Sequence, residues 1–151
     1  MANELVKSGR KVLIFVTRID HGEVLQKMGG GEFLYSLHPK RDELIDSFKD
    51  GNIKCLISTS VLNEGFDLPI IDAVILAGPV KSIIMTLQRI GRALRPYPNK
   101  SDAIIVDFAD NCLFLKDHFQ RRFERYILEN SWKIEKSIDE SSEQTKLDLD
   151  W

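Results

Sequence analysis

A short arginine-rich stretch, residues 88–95, carries the side chains of this chain that are best suited to hold a phosphate. Its sequence is Gln-Arg-Ile-Gly-Arg-Ala-Leu-Arg, so Arg89, Arg92 and Arg95 recur at every third position. On a helix these arginines lie near one another and repel unless an anion lies among them. Guanidinium groups stay charged and match phosphate oxygens as planar forks, and Gly91 permits close approach of a ligand. The stretch predicts either a phosphate site or a solvated basic helix end, where the helix dipole also favours arginine.

A second stretch, residues 57–69, follows an apolar run and supplies hydroxyl groups, a glycine and an acid. Its sequence is Ile-Ser-Thr-Ser-Val-Leu-Asn-Glu-Gly-Phe-Asp-Leu-Pro. In this order along the chain, the two stretches resemble motifs V and VI of superfamily 2 helicases. Motif V of that family contains Thr followed by Glu-Gly-hydrophobic-Asp-hydrophobic-Pro, and motif VI is Gln-x-x-Gly-Arg-x-x-Arg. The resemblance extends from Lys11 to Leu128 and implies the second of the two RecA-like domains that make up such a motor.

The resemblance implies a role for five residues in the cleft between the two RecA-like domains. Arg92 and Arg95 match the arginine fingers, which reach the γ-phosphate of ATP held by the other domain. Gln88 matches the motif VI glutamine that helps to organise this cleft, and a plain helix-surface role is the alternative. Gly65 and Asp67 match motif V residues that approach the sugar and phosphates of the nucleotide, although an Asp before Leu-Pro also suits a turn.

The same resemblance implies contacts with a nucleic-acid backbone. Thr59 matches the motif V threonine, whose hydroxyl and neighbouring backbone amides grip the strand, and a helix N-cap is its alternative role. Further phosphate contacts are implied in the motif IV region and after the second strand, at Thr17, Arg18, His38 and Arg41. Motif VI begins here with Gln, whereas DEAD-box RNA helicases usually have His at this position. We therefore expect DNA as the substrate in preference to RNA, and a closer relation to the DNA-repair and phage-recombination branch.

Two motifs with which such motors hold Mg-ATP do not occur in the sequence. There is neither Gly-x-x-x-x-Gly-Lys-[Ser/Thr] nor an Asp-Glu-x-His or Asp-Glu-Ala-Asp quartet. We therefore expect ATP and Mg²⁺ to be held mainly by an N-terminal RecA-like domain of the same parent chain. The chain alone is expected to hydrolyse no ATP and to bind DNA weakly, as a domain excised from a longer protein. A catalytically silent module that binds nucleic acid or a protein is the alternative, and an unrelated α/β nucleotide-binding enzyme is the third interpretation.

Apolar runs alternate with helical periods along the chain, which predicts βαβ units and a parallel sheet. Strands are predicted at residues 11–16, 33–37, 54–58, 73–76 and 103–107, and helices at 19–28, 41–49, from Ser82 to Pro96, and at 113–129. With the resemblance, the expected fold is α/β, a RecA-like three-layer sandwich with a mainly parallel sheet of about five or six strands. Motifs V and VI then follow strands at the carboxyl edge of the sheet, where open α/β sheets bind their ligands.

The last predicted helix has two distinct faces. A stripe of aromatic and aliphatic side chains at helical spacing is assigned to the core and consists of Leu115, Phe119, Phe123, Tyr126 and Ile127. The other face carries Arg121, Arg122 and Arg125, a pattern typical of a solvated face that could also contact a nucleic-acid backbone.

Composition is that of a single soluble domain. The chain has 151 residues, of which 43% are apolar and 29% charged. No run is long and apolar enough for a membrane span and no signal peptide opens the chain, so we expect an intracellular protein, cytoplasmic or nucleoid-associated, with no membrane partner. Cys55 and Cys112 are interpreted as reduced core thiols. Three scattered histidines predict no metal site.

The net charge of −2 is unevenly distributed. Residues 134–151 contain six acids and two lysines, a net charge of −4, so the remainder carries +2. A mildly positive domain permits nucleic-acid binding. We therefore predict a RecA-like helicase C-terminal domain at residues 1–132 and an acidic, disordered tail at residues 133–151.

Overall fold

The computed structural model describes residues 1–59, 70–78, 102–109, 113–128, 133–138 and 145–150. Helices in these ranges are α1 (Ala2–Lys7), α2 (Ile19–Lys27), α3 (Arg41–Lys49) and α4 (Leu113–Ile127). The strands are β1 (Val12–Phe15), β2 (Glu32–Leu34), β3 (Cys55–Ser58), β4 (Ala73–Leu76), β5 (Ile104–Ala109), β6 (Lys133–Ile138) and β7 (Thr145–Asp150). The helix predicted from Ser82 to Pro96 and Cys112 lie outside the described residues.

The strands form a seven-stranded sheet in the order β2-β3-β1-β4-β5-β7-β6. Strands β1 to β5 are parallel to one another, and β7 and β6 continue the sheet as antiparallel strands. These five parallel strands are the predicted ones, so the α/β fold with a parallel sheet is confirmed. Parallel strands need crossover connections, and among the described residues α2 lies in the connection from β1 to β2 and α3 in the connection from β2 to β3.

Two apolar clusters lie on opposite faces of the sheet. One contains Leu13, Leu56 and Val74 and receives side chains from α3 and α4, with Phe48 and Tyr126 among its buried members. The other contains Val12, Ile57 and Ile75, and Leu5 of α1 and Leu25 of α2 pack against it. Because both faces are covered, the strands are continuous apolar runs instead of alternating ones. The result is a sandwich of three layers.

Helix α2 lies unusually close to strand β2 at Gly22. A Cβ atom built on Gly22 would lie 2.2 Å from the ring of Phe33, a distance at which atoms overlap. Glycine is therefore favoured at this position by space, since any side chain would have to displace the buried Phe33 ring or shift the helix.

Helix α4 is fixed to β5 by a buried ionic contact that differs from the sequence prediction. Arg122 was assigned to a solvated face, but it is only 7% exposed, and its guanidinium group donates two hydrogen bonds to Asp107, which is 1% exposed. Tyr126 Oη also donates to this carboxylate. The prediction was wrong for Arg122 because a buried carboxylate fifteen residues away neutralises its charge. Ile127, assigned to the core, is 55% exposed.

Over the predicted tail, the structure has two strands where composition predicted no regular element. β7 pairs with β5, from Ile105 opposite Leu149 to Ala109 opposite Thr145, and β6 pairs with β7. Ile134 packs against the cluster that α4 covers. Charged and apolar residues alternate from Lys146 to Asp150, a pattern typical of a strand with one apolar face. The domain boundary near residue 132 stays a prediction.

Candidate functional site at the carboxyl edge of the sheet

Five residues at the carboxyl ends of the parallel strands form one row across the sheet. The register places Leu34 beside Ser58, Ser58 beside Phe15, Phe15 beside Leu76, and Leu76 beside Asp107. Strands β1 to β4 end at this row, whereas β5 continues to Ala109. We call residues 16–18, 35–41, 59 and 77–78, which follow β1 to β4, the carboxyl edge. The predicted contacts Thr17, Arg18, His38, Arg41 and Thr59 all lie in it. The structure therefore places the residues predicted to contact nucleic acid at one edge of the sheet.

Thr17 and Thr59 follow neighbouring strands, β1 and β3. The two strands remain paired up to this point, since the Val16 amide donates to the Ser58 carbonyl at 3.0 Å. The Thr59 amide donates to the Leu34 carbonyl at 3.3 Å, and its own carbonyl accepts from Ser58 Oγ at 2.9 Å. Thr17 is exposed and Thr59 half-buried. Two threonines are thus held by rigid strands at one edge of the sheet.

Arg18 is paired with a neighbour on helix α2. Its Nε and Nη2 donate to the two carboxylate oxygens of Asp20 at 2.9 and 2.5 Å. This side-chain hydrogen bond raises the pKa of Arg18 and lowers the pKa of Asp20. Both side chains are largely exposed, 76% and 62%. Because exposed ion pairs contribute little stability, Arg18 can exchange Asp20 for another anion at low cost.

The turn between β2 and α3 carries His38 and Arg41. The ring of His38 meets Tyr35 edge-on, with ring centroids 5.1 Å apart and planes at 82°. His38 Nδ1 accepts from the Lys40 amide at 3.2 Å, which places the proton of the neutral ring on Nε2 as a donor. Arg41 begins α3, and its amide donates to the His38 carbonyl at 3.1 Å. Its Nη1 lies 3.3 Å from Asp42 Oδ1.

A glycine that the sequence reasoning did not single out also lies at the carboxyl edge. Gly78 follows β4, and a Cβ atom built on it would be in contact with Thr17. The signal in the sequence was a glycine directly after a buried strand, a position where close approach of two chain segments is common. Tyr35, which supports His38, was not singled out either.

The residues predicted to contact ATP fall in parts of the chain that the structure does not describe. Gln88, Arg92 and Arg95, with Gly65 and Asp67, all lie outside the described residues, so their predicted roles stay predictions. Within the described ranges, no group of three or more His, Cys, Asp and Glu side chains is arranged to hold a metal ion. The helices in those ranges also include none with the length and apolar character of a bilayer span.

Comparison with protein families gives a match over residues 1–97 to the helicase conserved C-terminal domain. This chain is a helicase C-terminal domain. The matched range includes every residue of the carboxyl edge and both sequence stretches, 57–69 and 88–95, on which the resemblance was based. Strands β5 to β7 and helix α4 lie beyond it. The membership in superfamily 2 that the two motifs predicted is confirmed.

Relatives of this helicase domain are much longer proteins. ATP-dependent helicase Lhr-Core of Methanocaldococcus jannaschii is 43% identical over 68 residues, which are 45% of this chain and 8% of that protein. A protein of Haloarcula marismortui, provisionally named DNA 3'-5' helicase Rad25, is 29% identical over 136 residues, 88% of this chain and 21% of that protein. The chain spans at most a quarter of the length of the curated relatives compared with it.

The fold is also shared with a solved structure. The crystal structure of the Escherichia coli DEAD-box protein SrmB bound to regulator of ribonuclease activity A superposes with a TM-score of 0.50 at 23% identity. The match covers 60% of this chain and 58% of that chain. At this identity the likeness concerns the fold alone, and the RecA-like architecture expected from the sequence is confirmed.

Proposed function

We propose that this domain is the second motor domain of an ATP-dependent superfamily 2 DNA helicase or translocase. The observation that carries the proposal is the carboxyl edge, where a helicase C-terminal sheet gathers Thr17, Thr59, His38 and Arg41 after three adjacent strands. Hydroxyl groups, an imidazole N–H and a guanidinium group are donors that suit phosphate oxygens. A nucleic-acid backbone is therefore the ligand that fits this edge.

The grip at the carboxyl edge is directed at the backbone and not at the bases. Thr17 and Thr59 follow two strands that stay paired up to Val16 and Ser58, so the backbone at both threonines is anchored to one sheet. Arg18 adds a charge that an incoming phosphate can draw away from Asp20. Contacts of this kind position a strand without reading its sequence. A motor that steps along DNA of any sequence requires such contacts.

DNA is the proposed substrate for two reasons. Motif VI begins with Gln88, in contrast to the histidine usual in DEAD-box RNA helicases. The Haloarcula relative, which aligns with 88% of this chain, carries the name of a DNA helicase. Because DNA is found inside the cell, the parent protein is proposed to be intracellular.

On the ATP side, we propose that Arg92 and Arg95 act as arginine fingers in the parent protein. A finger stabilises the charge that spreads over the phosphoryl oxygens and accelerates hydrolysis by roughly 10³–10⁵-fold, about 4–7 kcal/mol. Gln88, Gly65 and Asp67 are proposed to line the same cleft. Bound ATP with Mg²⁺ would supply the β–γ phosphoanhydride bond whose hydrolysis would drive domain movement, and an N-terminal RecA-like domain of the parent chain is proposed to hold both. This chain alone is then inactive, because it carries no P-loop motif.

The decisive experiment compares DNA-stimulated ATP hydrolysis by the intact parent protein and its Arg92→Ala variant at saturating DNA. A finger predicts a fall of roughly 10³-fold or more with DNA binding retained. Arg121→Ala serves as the matched control, since Arg121 is an exposed arginine on helix α4. Turnover of the Arg92→Ala protein equal to that of the control would contradict the finger and remove the main support for a motor. Turnover by this chain alone would contradict its proposed inactivity.

A further inference from the structure

Gly78 is a glycine whose backbone conformation does not explain its presence. Four of the described glycines have a positive φ angle, namely Gly9, Gly29, Gly31 and Gly51, and Gly78 is not among them. Any residue could therefore adopt its backbone geometry. The reason for glycine must lie in the space around it.

The nearest atoms in that space belong to Thr17. A Cβ atom built on Gly78 would lie 3.3 Å from Thr17 Oγ1, 3.6 Å from its amide nitrogen and 3.7 Å from its Cγ2, and these are its three nearest heavy atoms. A carbon–oxygen distance of 3.3 Å is tighter than most such contacts, so the hydroxyl would have to yield by a few tenths of an ångström. The neighbouring residue, Ala77, donates its amide hydrogen to the Phe15 carbonyl at 2.8 Å, which prevents the end of β4 from moving aside.

Thr17 itself is poised for an external partner. Its side chain is exposed, and among the described residues its hydroxyl group has no hydrogen-bond partner. Threonine has a stiff χ1 angle because its Cβ is branched, so a Cβ atom at position 78, in contact with both Oγ1 and Cγ2, would restrict the direction of the hydroxyl. Because Gly78 has no Cβ atom, it leaves the hydroxyl unrestricted from that side.

We propose that Gly78 is a positioning residue for Thr17: the missing side chain lets the end of β4 close against β1 and leaves the Thr17 hydroxyl directed at a DNA phosphate. The inference rests on the proposed function, because it assigns to Gly78 the placement of one nucleic-acid contact. It is distinct from a role of Gly78 as a plain turn residue before Pro79, since a turn residue would act independently of the side chain at position 17.

The experiment is a double-mutant cycle on this chain. The probe is a fluorescein-labelled single-stranded oligothymidine DNA, and binding is measured in low salt. Binding is followed by fluorescence anisotropy for wild type, Thr17→Ala, Gly78→Ala and the double variant. We expect Thr17→Ala to weaken binding about tenfold, the loss of one hydrogen bond to a charged group. Gly78→Ala should weaken binding in the same direction, and it should add nothing when Thr17 is already alanine. Thr17→Ser should restore binding to the Gly78→Ala protein, because serine keeps the hydroxyl and rotates more freely.

Each other result overturns the inference in a recognisable way. If Gly78→Ala binds like wild type, or weakens the Thr17→Ala protein further, Gly78 does not act through Thr17, while the proposed function stands. If Thr17→Ala binds like wild type, the contact at Thr17 is wrong, and the arginine fingers remain to be judged by ATP hydrolysis. If wild type shows no binding, the proposed nucleic-acid function of the chain fails together with the inference. Thermal unfolding of each variant separates these effects from loss of fold.

Discussion

Breaking the contact between Asp107 and Arg122 should destabilise this domain by about 3–5 kcal/mol, a large part of the 5–15 kcal/mol typical of a domain. Arg122 Nε and Nη2 lie 2.7 and 2.9 Å from the two carboxylate oxygens, and Tyr126 Oη lies 2.9 Å from one of them. The Arg122 guanidinium carbon also lies 5.6 Å from the centre of the Phe119 ring. Among the described residues, the hydrogen-bond donors to the carboxylate are the α4 side chains Arg122 and Tyr126 and the backbone amide of Phe108.

The magnitude follows from opposing effects. Two charges about 4 Å apart attract by about 4 kcal/mol at an effective dielectric constant of about 20. Burial of each ion costs several kcal/mol, so the intact pair contributes little net stability. Removing one partner leaves the other charge buried without compensation, and this penalty is the source of the predicted 3–5 kcal/mol. For a domain of this size, the melting temperature should fall by about 6–20 °C.

The assay is urea unfolding followed by far-ultraviolet circular dichroism, with Asp107→Asn, Arg122→Met and the double variant. The double variant should lose less stability than the sum of the two single variants, because it leaves no uncompensated charge. Arg121→Met is the control, since Arg121 is exposed and adjacent in sequence. If the free energy of unfolding of either single variant lay within about 1 kcal/mol of that of this control, the remaining charge would be solvated, and the reasoning from burial would be refuted.

Two other predictions concern packing and alkaline pH. Gly22→Ala should destabilise the domain by about 1–3 kcal/mol, because the new Cβ would overlap the Phe33 ring, and Phe33→Leu in the same chain should recover part of the loss in urea unfolding. Burial raises the pKa of the Cys55 thiol from 9.0 to about 12, and burial followed by the charge of Asp107 raises the pKa of Tyr126. Both groups ionise more readily in the unfolded chain, so stability should be complete below about pH 9 and fall above it, by at most about 1.4 kcal/mol per pH unit for each group. As the pH rises above about 9, the urea midpoint of the Cys55→Ala protein should fall less steeply than that of wild type. Equal slopes for the two proteins would show that ionisation of Cys55 does not cause the loss of stability.

The parallel sheet was predictable because each of its strands is an uninterrupted apolar run. Residues 12–15 and 73–76, for example, are buried along their whole length, as expected for strands covered on both faces. The burial of Arg122 was harder to predict from the sequence. It lies three residues after Phe119 and four before Tyr126, on the same helical stripe, but its charge argued for solvent. Only the folded structure shows that the side chain of Asp107 lies opposite this stripe.

The two terminal strands illustrate a conflict between signals. Residues 133–151 are rich in acids, and this composition predicted disorder. Residues 146–150 alternate charged and apolar side chains, which is the pattern of a strand with one buried face. Five residues of alternation are a weak signal alone, because a single strand gains stability only from a partner. The partner is β5, about forty residues earlier, and its free edge is a feature of the fold and not of the tail sequence.

The two edges of the sheet differ in how their polar groups are paired, and this difference favours the carboxyl edge as the site. At the amino edge, Arg10 forms two hydrogen bonds with Asp102, 92 residues away, and the Lys11 amide donates to Asp72, 61 residues away. These contacts hold distant segments together and cannot be released without loosening the sheet. At the carboxyl edge, Arg18 pairs with Asp20 only two residues away. A local, exposed pair can open for an anion while every strand stays in place, and the proposed binding and release of a nucleic-acid backbone requires such a pair.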